Sequence, residues 1–106
     1  PGVHVRAVPG CFAMGRLVLD ELEFIAVACA VEAQRRGLAR QVMLSLCEAS
    51  ALLGARSVFL EVAADNAPAL GLYKSLEFEQ VGRRSGYYQR RDGTQCDAQI
   101  LRKSLT

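Results

Sequence analysis

The stretch that decides the fold is Gln34-Arg35-Arg36-Gly37-Leu38-Ala39-Arg40. It follows an apolar run of strand length at 24–31 and precedes a run with helical periodicity at 38–53. A strand that turns through a glycine into a helix leaves the first backbone N–H groups of that helix without intrahelical partners, and the helix dipole adds partial positive charge there. The stretch therefore predicts a site for an anion such as a pyrophosphate, with a solvated basic helix start as the alternative.

The rest of the chain shows alternating strand and helix patterns around this stretch. In chain order, the predicted elements are strands at 3–8, 11–19 and 22–31, a helix at 38–53, a strand at 57–62, a helix from 67 to about 76, and strands at 78–88 and 96–103. The order β-β-β-α-β-α-β-β predicts an α+β (mixed α/β) fold, and the length predicts a single domain over residues 1–106.

Local signals mark the ends of several of these elements. Asp20-Glu21 is the expected tip of the hairpin between the second and third strands, and the third strand, being almost continuously apolar, is expected to be covered on both faces. Gly54 is expected to end the first helix, and either Asp65 or Asn66 to cap the second.

Composition excludes several classes of protein. The 106 residues are 51% hydrophobic and 23% charged, which is typical of a globular chain, and the net charge of +2 is too small to indicate nucleic-acid binding by itself. The basic residues cluster at 35–40, 83–91 and 102–103, a pattern that suits a local anionic ligand. With no apolar run of membrane-spanning length and no signal peptide, a cytoplasmic location is expected.

Cysteine and histidine usage indicates neither a metal centre nor a thiol nucleophile. Four scattered cysteines without a C-x-x-C pair predict buried, reduced thiols: Cys11, Cys29, Cys47 and Cys96. The single histidine, His4, offers too few partners for a zinc site or a nucleophile–base pair.

Three polar residues in the second half are candidates for chemistry. Glu61 interrupts an apolar strand, where a carboxylate costs stability unless it is near solvent, paired or protonated, and such a group is a candidate general base. Tyr73 is a candidate proton donor, and Asn66 a candidate ligand. The structural alternatives are an outward-facing Glu61, a Tyr73 that packs its helix on the sheet, and an Asn66 that only caps that helix.

These segments resemble the GCN5-related N-acetyltransferase (GNAT) superfamily. Residues 34–39 match its Gln/Arg-x-x-Gly-x-Gly/Ala signature. The run from Leu60 to Phe78 resembles the L-E-V-x-x-x-N-x-x-A-x-x-L-Y-x-x-x-G-F block of the RimI-like ribosomal-protein N-terminal-alanine acetyltransferases. Residues 83–88, followed by Asp97-Ala98, are similar to the R-x-x-Y-Y and D-A elements of the same branch, so the resemblance runs from about Phe12 to the C-terminus.

The resemblance implies a GNAT acyl-CoA N-acyltransferase fold, and transfer of an acetyl group from acetyl-coenzyme A to a protein N-terminal α-amine, with a ribosomal protein as an expected acceptor. Glu61 would be the general base through a water molecule and Tyr73 the general acid. Tyr87 and Tyr88 would line the groove for the acceptor peptide. The implied cofactor-binding residues are Cys29, Ala30, Val31, Gln34, Arg35, Arg36, Gly37, Leu38, Ala39, Arg40, Asn66 and Tyr73.

The chain departs from the family pattern at several positions. Glu77 stands where glycine is usual, which would cost on the order of 1 kcal/mol if that residue is left-handed. Val31 replaces a usual proline, and Ala39 a frequent second glycine. The strand and two helices that open the family fold have no counterpart here, so an exposed sheet edge is expected, which invites pairing with a second copy in a homodimer.

Two other functions remain open from the sequence. One is a GNAT enzyme that acetylates a small amine or a lysine, against which the R-x-x-Y-Y feature argues mildly. The other is a catalytically silent coenzyme A-binding or assembly fragment.

Overall fold

A computed structural model describes residues 2–89 and 91–106 of the protein. This part of the chain folds into six strands and two α-helices. The elements are β1 (Val3–Val8), β2 (Cys11–Val18), β3 (Glu21–Cys29), α1 (Leu38–Leu52), β4 (Ser57–Ala63), α2 (Ala67–Ser75), β5 (Glu79–Gln89) and β6 (Gln95–Ser104). A 3₁₀ turn at Val31–Ala33 lies between β3 and α1. The predicted order β-β-β-α-β-α-β-β and the mixed α+β class are confirmed.

The strands form a sheet in the order β1-β2-β3-β4-β6-β5. The chain divides into two compact units, one holding the residues up to Val58 together with Ser104–Thr106, and the other holding Phe59–Lys103. The single domain over residues 1–106 stays a prediction. Of the basic clusters, Arg90 lies outside the described residues.

The first unit is an antiparallel meander with α1 packed on one side. β2 pairs with both β1 and β3, with a register shift between Met14 and Gly15. Gly15 allows a close approach, since a Cβ there would lie 2.8 Å from Cδ1 of Leu22 and 3.0 Å from the carbonyl oxygen of Glu23. The buried apolar residues include Ala13, Leu22, Phe24, Val42, Met43 and Leu46.

Two details of this meander differ from the prediction. The hairpin tip is Leu19-Asp20, one residue earlier than expected, and β3 ends at Cys29. β3 is not covered on both faces, because Leu22 and Phe24 are buried while Glu23 and Ile25 are exposed. The strand's apolar composition hid this asymmetry, since α1 covers only the side on which Leu22 and Phe24 lie.

The expectation of four reduced thiols is wrong for Cys11 and Cys29, which form a disulfide. The register of β2 and β3 places the two residues directly opposite one another. The flanking hydrogen bond from the Ala30 N–H to the Gly10 carbonyl marks their position as a non-hydrogen-bonded pair, the kind in which facing residues approach most closely. Cys47 and Cys96 are thiols.

The second unit contains the greater part of β4, together with α2 and the antiparallel pair β5–β6. Along β4, Leu60 and Val62 are buried and Phe59 and Glu61 are half-buried, so the predicted alternation is confirmed. The buried apolar residues of this unit are Leu60, Val62, Leu76, Phe78, Ala98 and Leu101. In the part of the chain that the structure describes, neither helix is long and apolar enough to cross a membrane.

Candidate functional site

The turn into α1 has the backbone form expected of an anion-binding loop. Arg35 has φ +63° and Gly37, the N-cap of α1, has φ +74°. A Cβ at Gly37 would meet no heavy atom within 4 Å, so glycine is favoured here by the backbone angle. The left-handed conformation is unfavourable for Arg35, and residues strained in this way are concentrated at functional sites.

The start of α1 is electropositive. Among the described residues, its first turn contains no acidic side chain and its N-cap makes no side-chain hydrogen bond. The side chains of Arg35, Arg36 and Arg40 are exposed. Backbone N–H groups, the helix dipole and these guanidinium groups together form a set of donors suited to a phosphate.

The loop is tied to the end of β3 by short-range hydrogen bonds. The Gln34 side-chain amide donates to the Cys29 carbonyl at 3.2 Å. The Ala33 N–H donates to the Ala30 carbonyl at 2.9 Å, and the Ala30 N–H donates to the Gly10 carbonyl at 2.7 Å. The Cys29–Gln34 contact therefore connects two of the residues predicted to bind the cofactor.

In the second unit, Glu61 is paired with a cation. Its Oε1 lies 3.2 Å from Nη2 of Arg84, and the side chain of Glu61 is 27% exposed. Of the conditions under which a carboxylate is tolerated in this strand, the structure supplies two, an ion pair and partial solvent access. Arg84 also lies over the ring of Tyr87, with Cζ 5.1 Å from the ring centroid.

A bulge in β5 presents the two tyrosines. Arg84 pairs with Ala98 and Tyr88 with Cys96, so three residues of β5 lie opposite Asp97 alone. The Asp97 carboxylate fills the gap, accepting from the Gly86 N–H at 2.8 Å and from Nε of Arg83 at 2.7 Å. Both contacts lower the pKa of Asp97, and the hydrogen bond from Gly86 has the larger effect.

The tyrosines and Glu61 are electrostatically coupled. The rings of Tyr87 and Tyr88 meet edge to face with their centroids 5.2 Å apart. The pKa of Tyr88 is raised, mainly because the residue is partly buried and next because of the negative charge of Glu61. The pKa of Tyr73 is also raised, mainly by burial and next by Tyr88. Its phenol is therefore protonated at neutral pH. Glu61 therefore influences the titration of Tyr88, and Tyr88 that of Tyr73.

Both ends of α2 are capped, and this fixes Tyr73. The Asn66 Oδ1 accepts from the Ala69 N–H at 3.3 Å, so Asn66, not Asp65, is the N-cap. At the other end, the N–H of Phe78 donates to the carbonyl of Tyr73 at 3.0 Å, and the N–H of Glu77 to that of Lys74 at 3.0 Å. This is a Schellman motif, and the accompanying contact is between the rings of Tyr73 and Phe78, 5.9 Å apart.

Sequence reasoning missed the partners that hold the candidate residues. Arg84 and Asp97 were visible only as parts of motifs, and their roles depend on the bulge in β5. The sequence did contain a clue to the ion pair. A glutamate within an apolar strand is tolerated when a cation pairs with it, and Arg84 of the R-x-x-Y-Y element is such a cation.

Comparison with known proteins is consistent with these features. The profile of the acetyltransferase (GNAT) family matches residues 10–78. The [ribosomal protein bS18]-alanine N-acetyltransferase of Escherichia coli strain K12 is 38% identical over 90 residues, which cover 85% of this chain and 60% of that protein. The chain therefore spans about 60% of the length of such curated relatives.

Solved structures share the fold. The ribosomal-protein-S18-alanine N-acetyltransferase from Escherichia coli aligns with a TM-score of 0.85 and 35% identity, over 92% of this chain and 62% of that one. Arabidopsis thaliana NAA60 in complex with acetyl-CoA aligns with a TM-score of 0.80 and 22% identity, over 89% of this chain and 64% of that one, and shows likeness of fold alone. By its sequence profile and by its identity to these relatives, the chain belongs to the acetyltransferase (GNAT) family.

Proposed function

We propose that the protein is an acetyl-coenzyme A-dependent N-acetyltransferase whose acceptor is the N-terminal α-amine of a protein, with a ribosomal protein alanine as the preferred acceptor. The observation that carries the proposal is the placement of Glu61, which is 27% exposed on β4 and lies 3.2 Å from Nη2 of Arg84, a residue that also contacts the ring of Tyr87. Tyr73, on α2 of the same unit, has a protonated phenol. A carboxylate and a protonated phenol are the base and the acid that amide formation from a thioester needs.

The loop at 34–40 is the proposed pyrophosphate site. The N–H groups of Gly37, Leu38 and Ala39 would donate to the phosphate oxygens, and the three arginines would supply positive charge. The positive φ values at Arg35 and Gly37, and the absence of acidic side chains from the first described turn of α1, fit an anion.

The end of β3 is the proposed site for the pantetheine arm. The Ala30 N–H is already bonded to Gly10, so the donor for the developing oxyanion falls to a neighbouring residue. Successive N–H groups along a strand point in opposite directions, so the N–H of Cys29, the last residue of β3, points away from β2 and is the proposed donor. In the second unit, Asn66 is a further proposed cofactor ligand, because its capping bond uses only Oδ1 and leaves its side-chain NH2 group as a donor.

Acetyl-coenzyme A, when bound, supplies the acetyl group as a thioester. Glu61 would accept, through a water molecule, the proton that the α-ammonium group loses before its nitrogen attacks the thioester carbonyl. Once the N–C bond has formed, Tyr73 would give its proton to the sulfur as the C–S bond breaks, and the second proton lost by the nitrogen would restore the phenol through solvent. An α-amine has a pKa near 7.7–8.0 and a thiol one near 8.5, so neither proton transfer is demanding near neutral pH.

Tyr87 and Tyr88 are the proposed walls of the acceptor groove. Tyr87 is exposed, and its ring is held between Arg84 and Tyr88, so it presents a flat, ordered surface beside Glu61. The resemblance of this segment to the R-x-x-Y-Y element of the N-terminal-alanine acetyltransferases supports a peptide acceptor over a small amine. Acetylation of a small amine or a lysine, and coenzyme A binding without catalysis, are the alternatives that the assay below separates.

The test combines ligand binding with product analysis. Acetyl-coenzyme A at 100 times its dissociation constant stabilises a protein by roughly 2.7 kcal/mol, a rise in Tm of about 10 °C or more at this size. The double variant Arg35→Gln, Arg36→Gln should lose this rise, while Arg56→Gln, at an exposed position outside the loop, should keep it. No rise with the unchanged protein would contradict the proposed site.

The product assay uses a peptide with an N-terminal alanine and an internal lysine, analysed by mass spectrometry. Acetylation of the α-amine supports the proposal, acetylation of the lysine supports the alternative acceptor, and binding without product supports the silent module. Glu61→Gln and Tyr73→Phe should both slow the reaction, and an unchanged rate in both variants would remove these residues from the mechanism.

We also propose that the chain associates with a second copy through β1. This strand is an edge of the described sheet, and its Val3 and Val5 are about half exposed. Light scattering should show a dimer that Val5→Lys dissociates, whereas a monomer at all concentrations would contradict the proposal. The cytoplasmic location stays a prediction.

A further inference from the structure

We propose that Arg84 is a positioning residue, which holds the carboxylate of Glu61 in the orientation from which it accepts the proton of the acceptor amine. The inference rests on the proposed function, since it assigns a role within the proposed acid–base pair. It adds a residue that the family match does not reach, because the matched segment ends at residue 78.

The contact geometry is that of a clamp. Arg84 engages Oε1 of Glu61 at 3.2 Å, which leaves the second carboxylate oxygen to accept from a water molecule. The same guanidinium group lies over the Tyr87 ring at 5.1 Å. A guanidinium group that contacts both a carboxylate and an aromatic ring is restrained by both, and the point charge of a lysine ammonium does not offer the same planar geometry.

Arg84 is itself held in place by its neighbours. Asp97 binds Nε of Arg83 on one side of it and the Gly86 N–H on the other, at 2.7 and 2.8 Å. Arg84 is also the last residue of β5 paired with β6 before the bulge, opposite Ala98. The β5–β6 pairing and the bulge therefore fix the backbone of Arg84 without help from Glu61, and this backbone presents the guanidinium group to the carboxylate.

The charge of Arg84 also bears on Tyr88. The negative charge of Glu61 contributes to the raised pKa of Tyr88, and the cation beside Glu61 offsets part of that charge. Removal of Arg84 should therefore raise the pKa of Tyr88 further, and neutralisation of Glu61 should lower it. The shift in Arg84→Met reports that the charge of Arg84 acts on Glu61 and Tyr88, and the kcat–pH profile then tests whether Arg84 orients the carboxylate.

The experiment measures kcat and KM against pH for the unchanged protein and for Arg84→Met, Arg84→Lys and Glu61→Gln. Arg102→Met is the matched control. Arg102, on β6, lies over the ring of Phe59 on β4, and neither residue belongs to the proposed site. Arg84→Met should lower kcat by about tenfold to a hundredfold, change the acidic limb of the kcat–pH profile, and leave KM for acetyl-coenzyme A nearly unchanged. Arg84→Lys should restore part of kcat.

A second measurement does not depend on activity. The chain has three tyrosines and no tryptophan, so tyrosinate absorbance reports on Tyr73, Tyr87 and Tyr88 alone. Comparison of each protein with its Tyr88→Phe derivative isolates the titration of Tyr88. It should move to higher pH in Arg84→Met and to lower pH in Glu61→Gln.

The outcomes separate the two proposals. If Glu61→Gln is impaired and Arg84→Met keeps the kcat, the pH profile and the Tyr88 titration of the unchanged protein, the role of Arg84 is overturned and the proposed function stands. If Glu61→Gln retains full activity, or the unchanged protein is inactive, the proposed function fails in this chain, and an unmoved Tyr88 titration in Arg84→Met then also overturns the positioning role. Should Arg84→Met fail to fold, Arg84→Gln, which also removes the charge, decides by the same two measurements.

Discussion

Replacing Glu77 by glycine should stabilise the protein. Glu77 has φ +70° in the turn that ends α2, where it is the left-handed residue of the Schellman motif. The side chain is exposed, so its loss removes no core packing. The left-handed conformation, on which the predicted cost of replacing the family's usual glycine depends, is therefore present.

The size of the gain follows from two opposing terms. A residue with a Cβ pays about 1–2 kcal/mol in the left-handed region, which glycine does not pay. Glycine adds about 0.4–1 kcal/mol of conformational entropy to the unfolded chain. The net gain is about 0.5–1 kcal/mol, which corresponds to a rise in Tm of about 2–8 °C for a chain of this size.

Urea unfolding followed by circular dichroism measures the difference in the free energy of unfolding. Two variants separate the backbone effect from loss of the carboxylate. Glu77→Ala removes the charge but keeps the strained angle, and should gain little. Glu48→Gly, at an exposed position inside α1, should lose about 1 kcal/mol. A Glu77→Gly protein no more stable than Glu77→Ala would refute the reasoning.

Three further predictions concern other turns and contacts. Leu19 is 92% exposed and has φ +55° at the first position of the two-residue turn between β2 and β3. Leu19→Gly should raise the free energy of unfolding in urea by about 0.5–1 kcal/mol, and an unchanged midpoint would count against this. Asn66→Ala should lose about 1 kcal/mol of stability, whereas Asn66→Asp should keep the cap and yet bind acetyl-coenzyme A more weakly by calorimetry, because it lacks the amide donor. Asp97 has a lowered pKa, so it contributes stability above the ordinary carboxyl pKa and loses it as the pH falls through its folded value. The deficit of Asp97→Asn in the free energy of unfolding should therefore be largest near neutral pH and shrink below about pH 4, and a deficit constant with pH would contradict this.

Much of the fold could be predicted because its signals are local. The helical period from Leu38, the glycine after α1 and the strand alternation around Glu61 each depend on a few neighbouring residues. The left-handed Glu77 could be inferred because a known family has glycine there, and its φ of +70° confirms the inference.

Strand register and long-range pairing could not be obtained in this way. The disulfide between Cys11 and Cys29 depends on which residues of β2 and β3 face each other, and their sequence separation of 18 does not reveal it. The bulge in β5 is likewise defined by Asp97, a residue of the next strand. The candidate acid and base were identifiable by residue type, whereas the groups that hold them were not.

The placement of Tyr73 shows why these supporting contacts matter for function. In the described structure no residue of α2 is fully buried, so the helix has no deep core anchor of its own. Its position depends on its ends: the Asn66 cap, the turn closed by the Phe78 N–H, and the bond from the Ala64 N–H to the Asp97 carbonyl just before the helix. Asp97 thus fixes both the entry to α2 and the bulge that presents Tyr88. The first contact uses the backbone carbonyl, which any residue would supply, and only the second uses the carboxylate. Substitution of Asp97 should therefore disturb the bulge and Tyr88 while the bond that precedes α2, and with it the position of Tyr73, is kept.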